Sequence, residues 1–187
     1  MEKDIVFAGF GGQGVLTAGL ILAHAANASG MQVLWMPAYG GQMRGGRSYS
    51  LVKFGDSPIC HPDIEQLDVL AAMNLPSLEA FSGYIRRDGL LLINSNMVPD
   101  TYTIQRDDLN LLRAPLDDLA CSVQHPKGAN IVALGLLLQN THLFSADTFE
   151  AQMLQYFEDK GKTAWAAINR AALKAGLEFQ CPERPHL

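Results

Sequence analysis

The chain has 187 residues, room for one ordinary α/β domain, and a formal net charge of −5. Its 14 Lys and Arg residues and 19 Asp and Glu residues form no cluster of one sign. This excludes the concentrated positive charge of a nucleic-acid-binding domain. Charged residues make up only 18 %, against roughly 25 % in a typical soluble domain. A surface short of charge is expected where other chains cover part of it, and equally in a small monomer rich in Ala and Leu.

The cysteines Cys60, Cys121 and Cys181 have no C-x-x-C spacing. We therefore expect neither a zinc ion nor an iron–sulfur cluster held by this chain alone. The sequence opens without a secretory pattern, and no apolar run reaches the ~18 residues of a membrane span. We expect a cytoplasmic protein with reduced thiols and no membrane association. Residues 1–180 are predicted to form one domain, followed by a frayed C-terminal tail over residues 181–187.

A strand, a glycine turn, a helix and a second strand follow one another at the start of the chain. Residues 5–8 are a short apolar run that ends in glycines, as is typical of a buried parallel strand. Small and apolar residues over 15–29, closed by Gly30, predict a helix. The second strand is predicted over residues 33–36, stopped by Pro37. This order is a βαβ unit, which implies a right-handed crossover and a parallel sheet.

The middle of the chain is predicted to add strands around a glycine-rich loop at residues 39–47. Strands are predicted over residues 48–54, 68–73 and 90–94, and Pro76 opens a short helix that ends near Tyr84. The turn at residues 55–58 predicts a hairpin that continues into Ile59.

The last third of the chain is mainly helical, with helices predicted over residues 130–139, 147–158 and 163–174. The predicted fold class is α/β, with a Rossmann-like open, mostly parallel sheet, flanking helices and a hairpin edge.

The turn after the first strand, Gly9-Phe10-Gly11-Gly12-Gln13-Gly14, fits G-x-G-x-x-G and leads into a helix. In this position glycines permit positive φ and let backbone N–H groups approach a phosphate. A dinucleotide fingerprint also needs an acidic residue at the end of the second strand, and residues 34–38 contain none. This absence disfavours NAD and leaves flavin and coenzyme A open. The same glycines are also compatible with close helix–strand packing alone.

Two glycine motifs together resemble the gamma subunit of 2-oxoacid:acceptor oxidoreductases, also called the pyruvate/ketoisovalerate oxidoreductase gamma-domain family. The first motif is G-x-G-G-Q-G-V after the first strand, and the second is Y-G-x-x-x-R-G-G after the second strand. The matching residues are Gly9, Gly11, Gly12, Gln13, Gly14, Val15, Tyr39, Gly40, Arg44, Gly45 and Gly46. Later stretches at residues 68–71, 128–135 and 169–176 are also similar, so the likeness spans nearly the whole chain.

The resemblance implies a subunit of a 2-oxoacid:ferredoxin oxidoreductase complex. Such complexes oxidatively decarboxylate a 2-oxoacid with coenzyme A to an acyl-CoA, carbon dioxide and two low-potential electrons, which ferredoxin accepts. In the family, other subunits hold the thiamine diphosphate, the magnesium ion and the iron–sulfur clusters. The gamma subunit is expected to pack against these subunits in a hetero-oligomer, to help enclose the coenzyme A side of the active site, and to be inactive alone. The resemblance leaves 2-oxoglutarate, pyruvate, branched-chain and aryl 2-oxoacids open as substrates.

The candidate site consists of cofactor-binding residues without a catalytic or metal-ligating member: Gly11, Gly12, Gln13, Gly14, Arg44, Gly45 and Gly46. Arg44 can meet an anion through its planar fork, and the Gln13 amide can donate to a ligand or cap the helix. The residues before Arg44 are Gly41-Gln42-Met43, where the family often carries Pro and Glu, so Arg44 lacks a neighbouring carboxylate. Two other functions stay open: a free-standing nucleotide- or flavin-binding oxidoreductase, and a binding module that senses a small phosphorylated ligand.

Overall fold

The computed structural model describes residues 2–39 and 47–181, which form one six-stranded sheet flanked by six α-helices. The strands are β1 (Lys3–Phe10), β2 (Gln32–Tyr39), β3 (Arg47–Gly55), β4 (Leu67–Ala72), β5 (Ile85–Asn94) and β6 (Asn110–Ala114). The helices are α1 (Val15–Ala28), α2 (Leu75–Phe81), α3 (Leu116–Ser122), α4 (Ala129–Thr141), α5 (Ala146–Asp159) and α6 (Ala166–Glu178). Single 3₁₀ turns at Ser82–Tyr84 and Thr163–Trp165 follow α2 and precede α6.

The sheet order is β2-β3-β1-β4-β5-β6, and all strands except β3 run in the same direction. The mostly parallel α/β class and the hairpin edge are therefore confirmed. The hairpin is made by β2 and β3, however, and the prediction that placed it between residues 48–54 and Ile59 was wrong. Because β3 lies between β1 and β2, the crossover through α1 joins two parallel strands that are not neighbours.

Two of the strand boundaries that differ from the prediction are explained by how the strands pair in the sheet. Strand β2 continues through Pro37 to Tyr39, because β2 is at the edge of the sheet, where a residue without an N–H is tolerated. Strand β5 begins at Ile85, and Asp88, with φ 58°, lies inside it at a shift in the register with β4. The Asp88–Gly89 pair therefore marks a bulge and not a turn.

Helix α1 packs on one face of the sheet together with α3, α4, α5 and α6, and α2 packs on the other face. The thicker layer buries Ile5 and Phe7 of β1, and the thinner layer buries the alternate residues Val6 and Ala8. Strand β1 is thus buried on both faces, as its uninterrupted apolar sequence predicts. In the described part of the chain, no helix is long and apolar enough to cross a membrane.

Helices α4 and α6 cross in close backbone contact at two glycines. A Cβ atom added to Gly135 would overlap the Leu173 carbonyl oxygen, and one added to Gly176 would overlap the Val132 carbonyl oxygen. Since backbone atoms cannot move aside as a flexible side chain can, both positions require glycine for this helix packing.

We expect Gly135→Ala to lower the free energy of unfolding by at least about 1–3 kcal/mol, because the methyl group forces the two helices apart. Urea unfolding of the purified chain followed by circular dichroism measures the change. Gly83→Ala is the matched control, since a Cβ at Gly83 meets no atom within 4 Å. Equal stability of the two variants would contradict the close approach.

Candidate functional site

The glycine turn lies at the carboxyl end of β1, beside the carboxyl end of β4. Helix α1 leaves this turn on one face of the sheet, and α2 leaves the end of β4 on the opposite face. Two neighbouring parallel strands whose helices leave on opposite faces create a crevice at their carboxyl ends, where α/β proteins bind ligands. The sequence motif and the topology therefore point to the same edge of the sheet.

The glycines of the turn serve two different purposes. Gly12 has φ 103°, is exposed, and has open space around the position that a Cβ would occupy. Gly14, with φ 72°, precedes α1, and a Cβ there would approach the Asn130 side chain to 2.6 Å. A Cβ at Gly9 would approach Gln13 Oε1 to 2.7 Å. Close packing thus accounts for Gly9 and Gly14, whereas Gly12 keeps an accessible backbone at the tip of the turn.

The side-chain amide of Gln13 forms hydrogen bonds with the protein itself. Its Oε1 accepts from the Phe10 backbone N–H at 2.7 Å and from Asn74 Nδ2 at 2.7 Å. Its Nε2 donates to the Met73 carbonyl oxygen at 3.1 Å. Gln13 therefore spans the crevice between β1 and β4 and joins the turn to the residues that follow β4.

Two asparagines that the sequence analysis did not select complete the surroundings of the turn. Asn74 is only 1 % exposed and caps α2, because its Oδ1 accepts from the Ser77 backbone N–H at 3.0 Å. Asn130, in the first turn of α4, donates to the Gly14 carbonyl oxygen at 3.1 Å. The N-cap position of Asn74, two residues before Pro76, was a readable sequence signal. The contact between Asn130 and Gly14 depends on tertiary packing, so no sequence signal indicated it.

The residues that flank the undescribed part of the second glycine motif, Tyr39 and Arg47, lie at the same end of the sheet as the turn. Arg47 pairs with Phe10 in the β1–β3 ladder, and Tyr39 pairs with Ser48 in the β2–β3 ladder. Tyr39 is 72 % exposed, and Arg47 is also exposed. The predicted site residues Arg44, Gly45 and Gly46, with most of the predicted loop, lie outside the described residues.

A groove of about 360 Å³ opens at the same end of the sheet, between the β2–β3 hairpin and α2. Its walls include Tyr39, Arg47, Tyr49 and Phe81, and the rings of Tyr49 and Phe81 are 5.0 Å apart. The groove thus combines aromatic surface with the Arg47 side chain, and α2 links it to the hydrogen bonds of the glycine turn.

Comparison with known proteins identifies the family to which this architecture belongs. Residues 4–179 match the family model described as pyruvate ferredoxin/flavodoxin oxidoreductase. The chain belongs to the pyruvate ferredoxin/flavodoxin oxidoreductase family. The resemblance inferred from the two glycine motifs is thereby confirmed.

Relatives within the pyruvate ferredoxin/flavodoxin oxidoreductase family differ in length and in the 2-oxoacid for which they are named. The chain is 32 % identical over 178 residues to the ketoisovalerate oxidoreductase subunit VorA of Methanothermobacter marburgensis. That match covers 95 % of this chain but 36 % of VorA, so the chain spans about a third of that relative's length. It is 31 % identical over 156 residues to the 2-oxoglutarate synthase subunit KorC of Methanocaldococcus jannaschii, covering 82 % of this chain and 83 % of KorC.

The fold is shared with a protein whose crystal structure is known. The crystal structure of the keto/oxoacid ferredoxin oxidoreductase gamma subunit from Geobacter sulfurreducens matches with a TM-score of 0.82 and 30 % identity. The match covers 95 % of each chain, so the whole architecture and not only the sheet is held in common.

The opposite end of the sheet in this family member carries a network of ion pairs. Lys53, 4 % exposed, contacts Asp4 at 2.7 Å, and Asp68 contacts both Lys3 at 2.7 Å and Arg86 at 2.9 Å. Burial raises the pKa of Asp4, and the hydrogen bond from Lys53 opposes that rise. Cavities of about 440 and 600 Å³ border this network, but they lie at the amino ends of the parallel strands, away from the glycine turn.

Metal-binding and nucleophilic side chains are not brought together in the described ranges. No group of three or more His, Cys, Asp or Glu side chains there is placed to hold a metal ion. Cys121 is exposed, whereas His125, four residues on, is buried and faces the Asn169 Oδ1 with its Nε2 at 2.9 Å. Their closeness in sequence thus produces no catalytic dyad.

We expect Gly14→Ala to destabilise the chain more than Gly12→Ala does. Both changes place a side chain at positive φ, which costs about 1–2 kcal/mol, but only the first also displaces Asn130. Urea unfolding of the two variants measures the difference, expected to be about 1 kcal/mol or more. A greater loss of stability in Gly12→Ala than in Gly14→Ala would contradict the open space around Gly12.

Proposed function

We propose that the chain is the gamma subunit of a 2-oxoacid:ferredoxin oxidoreductase. This complex would convert a 2-oxoacid and coenzyme A into an acyl-CoA and carbon dioxide and pass two electrons to ferredoxin. The observation that carries the proposal is the accessible Gly12 turn at the β1–β4 crevice, in a chain whose residues 4–179 match the family. Residues 1–180 form the functional domain in this proposal.

The surface proposed to face coenzyme A is the turn of Gly11, Gly12, Gln13 and Gly14 together with Arg44, Gly45 and Gly46. Gln13 belongs to this surface through its place in the turn, since its side-chain amide is bonded to Phe10, Met73 and Asn74. Coenzyme A carries phosphate groups, which backbone N–H groups at the start of a helix and an arginine fork both bind well. Helix α1 has 14 residues, and within the described ranges no side chain forms an N-cap hydrogen bond at Gly14. The pairing of Arg47 with Phe10 brings the residue that follows the second motif to the glycine turn, which supports the joint assignment of the two motifs.

The decarboxylation chemistry is assigned to partner subunits. Thiamine diphosphate, with its magnesium ion, and the iron–sulfur clusters belong in this proposal to other chains of a cytoplasmic hetero-oligomer. The scattered positions of Cys60, Cys121 and Cys181 support this division, since an iron–sulfur cluster generally requires four thiolates. The gamma subunit then supplies a binding surface and is inactive alone.

The substrate is proposed only as a class, the 2-oxoacids. VorA is named for ketoisovalerate and KorC for 2-oxoglutarate, and the chain is almost equally identical to both, at 32 and 31 %. Selection among 2-oxoacids is therefore assigned to the subunits that bind thiamine.

We expect anaerobic affinity capture of the tagged chain from its own host to recover a thiamine-binding and an iron–sulfur subunit. Mass spectrometry identifies the partners, and a panel of 2-oxoacids with coenzyme A then identifies the substrate. Recovery of the chain alone, as a monomer or homodimer, would contradict the proposal and favour a free-standing nucleotide- or flavin-binding protein. Thermal stability with FMN, FAD or coenzyme A would distinguish those ligands, since a ligand at 100 times its Kd adds about 2.7 kcal/mol.

In the reconstituted complex, we expect Arg44→Ala and Gly12→Val each to lower acyl-CoA formation at limiting coenzyme A by about tenfold. The first removes a charge-assisted contact, and the second places a β-branched residue at φ 103°. Arg87→Ala, an exposed arginine near the start of β5, is the control and should retain full activity. Wild-type KM values for coenzyme A in both variants would contradict the proposed surface.

A further inference from the structure

The hydrogen bonds of Gln13 and Asn74 allow only one orientation of both side-chain amides. If the Gln13 amide were reversed, its NH₂ group would face the donors Phe10 N–H and Asn74 Nδ2. If the Asn74 amide were reversed, its NH₂ group would face the Ser77 N–H. The observed orientation satisfies every one of these donors and acceptors, so the network is fully determined.

This network connects two segments that lie on opposite faces of the sheet. Gln13 belongs to the turn before α1, and Asn74 is the N-cap of α2. Both polar atoms of the Asn74 amide are used: Nδ2 donates to Gln13 Oε1, and Oδ1 accepts from the Ser77 N–H. A buried cap of α2 requires only the second of these contacts, so the contact with Gln13 does more than end the helix.

The Gln13–Asn74 hydrogen bond also links the two surfaces at the carboxyl ends of the strands that a ligand can reach, the glycine turn and the aromatic groove. The exposed Gly12 adjoins Gln13, while Ser77 and Phe81 of α2 line the aromatic groove. A shift of the turn relative to α2 would break at least one hydrogen bond at 2.7–3.1 Å and leave the 1 % exposed Asn74 with an unpaired amide group. Such a group is costly when buried, so the turn and α2 are held as one body.

We infer that Gln13 and Asn74 are positioning residues, whose side-chain amides fix the Gly12 turn relative to α2 and its groove without contacting the ligand. The inference rests on the proposed function, in which this turn faces coenzyme A. Gln13 therefore acts through the geometry of the turn and not through a direct bond to coenzyme A.

The test uses Asn74→Asp in the complete complex. The carboxylate still accepts from the Ser77 N–H and caps α2, but it can no longer donate to Gln13 Oε1. We expect the KM for coenzyme A to rise about tenfold, kcat to change by less than about twofold, and the KM for the 2-oxoacid to stay unchanged. We also expect hydrogen–deuterium exchange to increase in residues 10–14 and 75–81 together.

A second variant, Gln13→Met, removes the contact with Asn74 from the other side at similar side-chain length, and with it the hydrogen bonds to the Phe10 N–H and the Met73 carbonyl oxygen. If the two residues act as one unit, the double variant raises the KM for coenzyme A no further than Gln13→Met alone does. Ser145→Ala is the matched control, since it removes the N-cap of α5, whose Oγ accepts from the Thr148 N–H at 3.2 Å. It should lower stability but leave the KM for coenzyme A unchanged.

Increased exchange confined to residues 75–81 in Asn74→Asp, with a wild-type KM for coenzyme A, would overturn the inference. Additive effects of the two single changes would also overturn it. Failure of the proposed function is recognised separately, because Gly12→Val would then leave the KM for coenzyme A at its wild-type value. In that case an increase in hydrogen–deuterium exchange in both residues 10–14 and residues 75–81 of Asn74→Asp still supports the coupling of the two segments. An increase in only one of the two segments overturns it.

Discussion

The antiparallel pairing of β3 with β1 is the constraint on which the candidate site depends. It extends over eight residue pairs, from Lys3 with Phe54 to Phe10 with Arg47. Because β3 is inserted between β1 and β2, the chain that returns from the hairpin arrives beside the glycine turn. A regular βαβ unit with β1 and β2 adjacent would leave no such position for Arg47. This strand order thus brings the glycine turn and the two residues that flank the second motif, Tyr39 and Arg47, to the same edge of the sheet.

Local signals in the sequence were sufficient to predict most elements and the position of the glycine turn between β1 and α1. The apolar run of β1, the glycine turn and the small residues of α1 predict a buried strand followed by a helix, and the structure contains both. Ser145, which was near a predicted helix start, is the N-cap of α5. These features depend on neighbours within a few residues, which is why sequence patterns reveal them.

The errors arose where long-range pairing decides the structure. A proline such as Pro37 ends a strand only where the sheet needs a backbone N–H at that position. The edge position of β2 removes that need. Strand β6, with the sequence Asn-Leu-Leu-Arg-Ala, has too little alternation to be recognised and is fixed by its parallel pairing with β5. The hydrogen bonds of Asn74 with Gln13 and of Asn130 with Gly14 likewise join residues 61 and 116 positions apart along the chain. No local pattern contains that information.

The hydrogen bond between Asn130 and Gly14 has a consequence for how the protein folds. Its two residues are 116 positions apart, so the turn acquires its final support only after most of the chain has been synthesised and has closed a long loop. The sheet strands and α1 are all available earlier on the ribosome. The region proposed to meet the ligand is therefore completed late, and a nascent chain that stops before α4 would expose an unfinished turn to solvent.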